Sequence, residues 1–217
     1  MSISNQLHSL RKQLAPDVSL VAVSKTKPLA DIEAAYQAGQ RVFGENKIQE
    51  MAHKWEQLPK DIEWHMIGHI QTNKIKYMAP FVSLVHGVDR IKVLTELQKQ
   101  AEKNNRVISC LLQVHIATEE TKFGFSATEI EAFIREKSFE NFKNLQIKGL
   151  MGMASFTTDK RQISGEFKGL KKLYDWCCSQ GSNFEVLSMG MSGDYPEAIA
   201  QGSNMIRVGS LIFGSRN

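Results

Sequence analysis

The stretch Leu20-Val-Ala-Val-Ser24 is an apolar run that ends at Lys25 and is followed by Thr26-Lys-Pro28. An aliphatic run of this length, closed by a proline, is typical of a buried parallel β-strand. Lys25 would then lie at the carboxyl end of the strand, where burial disfavours the ammonium form and lowers the pKa of a lysine. The neutral amine is the form that attacks a carbonyl carbon. On this stretch alone, a solvated lysine in a strand-to-helix loop is the competing interpretation, because most lysines are exposed.

Strand-like apolar runs recur eight times along the chain, separated by segments with helical spacing. The runs are Val18–Ser24, Arg41–Gly44, Trp64–Gly68, Ser83–Val88, Ser109–Ile116, Gln146–Met153, Val186–Met191 and Met205–Val208. Segments with apolar residues three and four apart include Leu29–Ala38, Ile91–Lys103, Thr128–Lys137 and Ile163–Ser179. Strands that alternate with helices form parallel units with right-handed crossovers. Eight such units predict an α/β protein with a single (β/α)₈ TIM barrel over residues 1–217.

An open, doubly wound sheet is the alternative architecture for the same alternation of strands and helices. A dinucleotide-binding sheet would carry G-x-G-x-x-G after its first strand, and this chain has no such motif there. No linker rich in proline, glycine or serine divides the sequence. These features favour one barrel domain.

Composition limits the partners and the compartment. Hydrophobic residues make up 42% and charged residues 23%, as in ordinary compact proteins, and the net charge is only +4. The densest basic stretch, Lys160–Lys172, also contains Glu166, so a solvated helix face is favoured over a nucleic-acid surface. No apolar run approaches the roughly 20 residues that a membrane span needs. Met1–Leu14 has leucines at helical spacing and is expected to form a covering helix, not a signal peptide.

The cysteines and histidines do not indicate a metal site or a disulfide framework. The three cysteines are Cys110 and the adjacent Cys177 and Cys178, without a C-x-x-C spacing, which suits a reducing cytoplasm. His65 and His69 are four apart, but a strand does not place them on one helical face. We therefore expect a cytoplasmic protein without a metal ion.

Polar residues follow several of the predicted strands, at the end of a barrel where active sites are found. Gly190-Met-Ser-Gly-Asp194 precedes a short helical pattern, and Val208-Gly-Ser-Leu211 follows the eighth strand. Glycines and hydroxyls at a helix N-terminus offer donors to an anion, and barrels often bind phosphate at the loops after strands seven and eight. Ordinary turns use the same residue types. The occurrence of both segments at these two loops favours a phosphate site.

Arg207 interrupts the otherwise apolar strand Met205–Val208. A guanidinium is costly to bury without a partner, so Arg207 either faces the barrel mouth with one or points to solvent. We favour the mouth. A lysine for an aldehyde, a phosphate site and an arginine together describe a site for pyridoxal phosphate (PLP), in which Arg207 would meet the ring nitrogen.

The order of these motifs resembles that of the pyridoxal phosphate homeostasis proteins. The resemblance extends from residue 20 almost to the C-terminus, and it is carried by Leu20-Val-Ala-Val-Ser-Lys-Thr-Lys-Pro28, Phe43-Gly-Glu-Asn46, Trp64-His-Met-Ile-Gly68 with Gln71-Thr-Asn-Lys74, Lys148-Gly-Leu-Met-Gly-Met153, Leu187-Ser-Met-Gly-Met-Ser192 and Ile206-Arg-Val-Gly-Ser210. It implies a barrel similar to the N-terminal domain of alanine racemases, with PLP bound as a Schiff base.

The resemblance also assigns roles to single residues. Lys25 resembles the Schiff-base lysine, Arg207 the partner of the pyridine nitrogen and Asn46 a residue on the face of the cofactor ring. The phosphate site would comprise Ser188, Met191, Ser192, Gly209 and Ser210. Lys27 is the competing lysine, and we expect it to point away from the barrel mouth because it directly precedes Pro28.

Three classes of function remain open on this sequence. We expect a monomeric, non-enzymatic protein that buffers PLP or delivers it to apo-enzymes, because alanine racemases take a second base from an additional β-domain and this chain ends seven residues after Ser210. The alternative is a PLP-dependent amino-acid racemase, or another lyase, with Tyr195 or His69 as the second proton donor. A Schiff-base aldolase that uses no cofactor is the third class.

Overall fold

The computed structural model describes residues 2–214, and its eight β-strands close into a parallel barrel in chain order. The strands are β1 Ser19–Val23, β2 Val42–Glu45, β3 Glu63–Met66, β4 Leu84–Val88, β5 Ile108–Val114, β6 Leu145–Gly152, β7 Val186–Met191 and β8 Met205–Val208. Each strand pairs in parallel with its neighbours, and β8 pairs with β1 to close the ring. The TIM-barrel prediction is confirmed.

Helices surround the barrel and connect its strands. The α-helices are α1 Ile3–Arg11, α2 Leu29–Gln37, α3 Ile48–Gln57, α4 Ile91–Lys103, α5 Ala127–Arg135, α6 Lys160–Ser179, α7 Tyr195–Ala200 and α8 Ser210–Phe213. Thr72–Tyr77, between β3 and β4, and Ser138–Asn141, before β6, are 3₁₀ helices. The crossover from β3 to β4 is therefore 3₁₀ helix where the other crossovers carry α-helix.

The core has two parts, as expected for a closed barrel. Five buried residues form a cluster of their own, each from a different strand: Val21, Leu84, Leu111, Met151 and Met205. A larger cluster includes Phe43, Trp64 and Phe167 and lies where the helices cover the strands. Parallel barrel strands bury both faces in this way, which is why they appear in the sequence as continuous apolar runs.

The N-terminal helix covers part of this assembly. α1 buries Leu7 and Leu10 and packs against α2 and α8. The expectation of a covering helix at Met1–Leu14 is confirmed over Ile3–Arg11. All three cysteines are free thiols, and no helix within residues 2–214 is long and apolar enough to cross a membrane.

Candidate functional site

A cavity of about 750 Å³ opens at the carboxyl ends of the strands, a volume in the range of small-molecule sites. Seven of the eight residues predicted for the cofactor site line it: Lys25, Asn46, Met191, Ser192, Arg207, Gly209 and Ser210. They come from the ends of strands β1, β2, β7 and β8, which closure of the barrel brings together. Ser188 is fully buried and does not belong to the cavity wall.

Lys27 lies in the same cavity wall as Lys25, so the expectation that it points away from the mouth is wrong. Its Nζ donates a hydrogen bond to the carbonyl oxygen of Phe213 at 2.9 Å. Phe213 is the last residue of α8, and carbonyls in the last turn of a helix lack partners within it. This carbonyl therefore holds the Lys27 ammonium at the rim, on the side of α8.

The loops after β7 and β8 are joined to each other beside the cavity. The backbone N–H of Gly209 donates to the hydroxyl oxygen of Ser192 at 3.2 Å. Within the first loop, the Met191 N–H donates to Asp194 Oδ1 at 2.5 Å, and the Asp194 N–H donates to the Met191 carbonyl at 3.1 Å. Together with Ser210, these loops place two hydroxyls and the glycine backbone of Gly193 and Gly209 on one wall of the cavity.

Gly190 allows the loop after β7 to pack closely on α7. Its φ of +96° lies in the region that favours glycine, and a Cβ atom there would lie 2.6 Å from the Cβ of Ala198. A larger residue at position 190 would push the Ser192 and Gly193 segment out of place.

Arg207 lies at the base of the cavity and is only 3% exposed. Its Nη1 donates to Ser188 Oγ at 2.6 Å and its Nη2 to the Gly152 carbonyl at 3.0 Å. Burial lowers the pKa of Arg207 to about 10, so the guanidinium stays charged near neutral pH. The structure thus gives Ser188 a place beneath Arg207, where it accepts a hydrogen bond from the guanidinium.

A chain of hydrogen bonds continues from Ser188 into the barrel. Ser188 Oγ lies 3.1 Å from His86 Nδ1, and His86 Nε2 lies 3.0 Å from His65 Nδ1. Burial lowers the pKa of His65 to about 3. Burial, followed by the electrostatic interactions that a protonated His86 would have with His65 and Arg207, lowers the pKa of His86 well below its usual value. Both imidazoles are therefore neutral at physiological pH.

His69 and Tyr195, the two residues considered as second proton donors, have different positions. His69 lines the cavity, stacks on Phe123 with ring centroids 3.9 Å apart, and has its Nδ1 2.8 Å from the buried carboxylate of Asp89. The Tyr195 hydroxyl instead donates to Gln13 at 3.2 Å, and Tyr195 is not part of the cavity wall. Of these two residues, His69 is the one that lines the cavity and is therefore placed to exchange a proton with a ligand there.

Sequence reasoning missed several residues of the wall, among them Gln113, Phe123, Met153 and Phe156. Phe156 is fully exposed and Phe123 is half-exposed, so two aromatic rings border the mouth. Phe156 comes shortly after the end of β6, so the strand end predicted from the sequence does indicate its approximate position. Phe123 lies in the longer segment between β5 and α5, and no sequence pattern indicates that this segment reaches the cavity.

The chemical groups around the cavity match those that PLP needs. A lysine amine suits the aldehyde, hydroxyls and glycine backbone N–H groups suit the phosphate, and a guanidinium, which only donates hydrogen bonds, suits an unprotonated pyridine nitrogen. No group of three histidine, cysteine or acidic side chains suited to a metal ion occurs within residues 2–214. The donor set therefore matches an organic phosphate with an aldehyde.

Comparison with known proteins identifies the family. The family model for the alanine racemase N-terminal domain matches residues 2–217. A pyridoxal phosphate homeostasis protein of Synechocystis is 42% identical over 210 residues, which cover 94% of each chain. One of Helicobacter pylori is 40% identical over 200 residues, covering 90% of this chain and 87% of the relative.

The chain belongs to the pyridoxal phosphate homeostasis protein family. The family predicted from the sequence motifs is thus confirmed. PipY of Synechococcus elongatus, solved without PLP, superposes with a TM-score of 0.93 at 35% identity, covering 98% of this chain and 100% of PipY. The PipY structure with PLP bound gives a TM-score of 0.89 at 34% identity over the same shares of the two chains.

Alanine racemases are more distant neighbours of this family member. The enzyme of Clostridium difficile gives a TM-score of 0.81 at 12% identity, and the match covers 99% of this chain but 56% of the racemase. At that identity the similarity shows the fold alone.

Proposed function

We propose that this protein binds PLP in the cavity at the barrel mouth and either buffers it or delivers it to apo-enzymes, without turning over a substrate. The observation that carries the proposal is the convergence of Lys25, Arg207 and the Ser192 and Ser210 loops on one cavity. The names of the relatives and the PLP-bound structure of PipY support it.

Each residue has one task in this proposal. When bound, PLP supplies an aldehyde carbon that bonds to amines. Lys25 provides the amine, Asn46 contacts the face of the ring, and the loops of Ser192 and Ser210 with Gly209 donate to the phosphate. Met191 contributes an apolar contact beside that loop, and Ser188 acts indirectly by holding the Arg207 guanidinium.

Arg207 also supports the absence of turnover. A donor-only guanidinium at the ring nitrogen keeps that nitrogen unprotonated, which weakens the ring as an acceptor of electrons from a substrate carbon. The two hydrogen bonds to Ser188 and Gly152 keep Arg207 in the barrel interior. The site is therefore suited to holding the cofactor more than to driving chemistry with it.

A PLP-dependent racemase is the second candidate function, and one observation favours it. The contact of His69 Nδ1 with the buried Asp89 carboxylate can fix the imidazole tautomer and orient its other nitrogen, as in many acid–base sites. In this alternative His69 would be the second proton donor and Lys25 the first.

Transfer and turnover experiments distinguish the two functions. Protein loaded with PLP should restore activity to an apo-transaminase, and a panel of amino acids should show no racemisation, transamination or decarboxylation. Free PLP at the same concentration and Lys25→Ala protein are the controls for transfer. Steady turnover of any amino acid that is lost in both Lys25→Ala and His69→Gln would establish the racemase and reject the carrier.

Two substitutions should separate the ring nitrogen partner from the phosphate donors. Ser210→Ala removes one of several phosphate donors and should weaken PLP binding by on the order of 1 kcal/mol. Arg207→Leu removes a charged donor and should cost about 1.5 to 3 kcal/mol and shift the absorbance of the bound cofactor. Absorbance titration with PLP measures both effects. An Arg207→Leu protein with the affinity and spectrum of the parent would disprove the role given to Arg207.

A further inference from the structure

A buried ionic cluster lies beside the turn that carries Lys25, outside the wall of the cofactor cavity. It consists of Glu45 at the end of β2 and of Glu50 and Lys54 on α3. Lys54 is only 4% exposed, and its Nζ donates to three oxygens: the Ser24 carbonyl at 2.8 Å, Glu45 Oε1 at 2.8 Å and Glu50 Oε1 at 2.7 Å. An ammonium has three N–H donors, so these bonds use its full capacity.

The cluster holds the backbone on both sides of Lys25. Before it, Ser24 accepts from Lys54 through its carbonyl and donates through its hydroxyl to Glu45 Oε1 at 2.6 Å. After it, the backbone N–H of Thr26 donates to Glu50 Oε1 at 2.6 Å. The bonds from Lys54 and Thr26 outweigh the effect of burial and lower the pKa of Glu50, so this carboxylate stays charged.

The turn has a conformation that needs such support. Thr26 has a φ of +65°, in the left-handed region that β-branched residues seldom adopt because the Cβ crowds the backbone. The hydrogen bond from its N–H to Glu50 fixes the peptide between Lys25 and Thr26. The backbone angles at residues 24–26 in turn set the direction in which the Lys25 side chain leaves the chain.

We propose that Lys54, acting through Glu45 and Glu50, is a positioning residue that directs the Lys25 amine toward the cofactor. The inference rests on the proposed function, in which Lys25 bonds to PLP. A lysine side chain already has four rotatable bonds. Any further freedom of the backbone that carries it lowers the fraction of time that its amine spends at the reacting carbon. Lys54 reduces that freedom by holding Ser24 directly and Thr26 through Glu50.

Stability alone does not account for this cluster. Burying an ion pair costs desolvation energy, and apolar residues of similar volume often serve a core as well or better. Glu45 Oε2 is buried and has no hydrogen-bond partner among residues 2–214, which adds to the cost. The hydrogen bonds of the Glu45 carboxylate are thus all made by Oε1, which accepts from Ser24 Oγ and from Lys54 Nζ.

The test compares PLP binding by variants of this cluster. Lys54→Met should lower PLP affinity at least about tenfold, because it removes a charged donor from the turn. Burial raises the pKa of Glu45 to about 7 even beside Lys54, and the single change leaves this buried carboxyl without its Lys54 partner, which can prevent folding. The Glu45→Gln/Lys54→Met variant, which replaces both partners, is therefore measured beside it. Lys171→Met is the matched control, since it removes an i,i+4 ion pair with Asp175 on the exposed face of α6.

Absorbance titration gives the affinity, and the time course of absorbance after mixing with PLP gives the on-rate. Urea unfolding reports stability, and hydrogen exchange reports the Thr26 amide. In the folded double variant we expect at least about tenfold weaker binding, slower bond formation and faster exchange at Thr26, with Lys171→Met like the parent. A folded double variant with parental affinity, on-rate and spectrum would overturn the positioning role. If the parent protein carries no PLP on Lys25, the proposed function is wrong and this inference falls with it. That result comes from the parent alone, so it is distinguished from a failure of the positioning role, which needs the variants.

Discussion

Lys25→Ala should abolish covalent attachment of PLP, whereas Lys27→Ala should leave it in place. Both lysines line the cavity, but Lys27 Nζ donates a hydrogen bond to the carbonyl oxygen of Phe213, the last residue of α8, which holds this side chain at the rim. Lys25 directly follows the buried Ser24, the first residue after β1, and is flanked by the ionic cluster that fixes its turn. We therefore expect all specific attachment at Lys25.

Borohydride converts the carbon–nitrogen double bond between a lysine and an aldehyde into a stable single bond, which permits peptide mapping. The pyridoxyl mass should appear on Lys25 in the parent and in Lys27→Ala protein, and on no lysine in Lys25→Ala protein at stoichiometric PLP. Circular dichroism of the three proteins controls for folding. Label on Lys27 in the parent would show that the cofactor bonds to the other lysine and would disprove the role proposed for Lys25.

The barrel could be predicted from the sequence because its strands are buried on both faces. Runs such as Ser109–Ile116 and Met205–Val208 stand out as continuous apolar segments, and the structure has strands at Ile108–Val114 and Met205–Val208. The predicted run Trp64–Gly68 extends past the end of β3 at Met66, since a sequence does not show where ladder pairing stops. The 3₁₀ crossover at Thr72–Tyr77 was not foreseen, because its apolar residues are too few to show a period.

The candidate site could be predicted as far as it follows the strand ends. Lys25, Asn46 and Ser210 lie within two residues of the end of an apolar run, Arg207 interrupts such a run, and all four line the cavity. Ser188 lies within β7, and a serine inside a strand gives no indication of which partner it faces. Its contacts with Arg207 and His86 join residues 19 and 102 positions apart.

The supporting ionic cluster was missed for a similar reason. Lys54 is on the helix that follows β2, where a lysine is ordinarily solvated, and only the packing of α3 against the barrel buries it. Its partner Ser24 lies 30 residues earlier in the chain. Polar groups that bind each other across the fold leave no periodic pattern, so sequence reasoning finds the groups facing the cavity before it finds those that hold them.

The hydrogen-bonded chain from Arg207 through Ser188 and His86 to His65 should make the protein sensitive to acid. Both imidazoles are buried and neutral, and protonating His86 would add a second cation near the Arg207 guanidinium. A protonated His86 would also have to donate from both ring nitrogens. Ser188 Oγ already accepts from Arg207, and His65 Nδ1 would have to accept from His86 while His65 itself stays neutral.

Lowering the pH from 6.5 toward 3 should therefore reduce the free energy of unfolding, and His65→Gln should flatten this dependence. In the unfolded chain a histidine takes up a proton near pH 6.5, while burial lowers the pKa of His65 in the folded protein to about 3. The unfolded state thus binds more protons in this window, and the stability that is complete above pH 6.5 is lost as the pH falls. By pH 4 the loss through His65 amounts to roughly 3 kcal/mol.

Urea unfolding at pH 7, 5.5 and 4 measures this slope in the parent, in His65→Gln and in His8→Gln, which replaces an exposed histidine of α1. His65→Gln should be less stable than the parent at pH 7, because it alters a packed core, yet should lose less stability between pH 7 and 4. His8→Gln should follow the parent. If the free energy of unfolding fell equally with pH in His65→Gln and in the parent, the loss of stability in acid would come from other groups. Protonation of His65 would then not destabilise the folded protein.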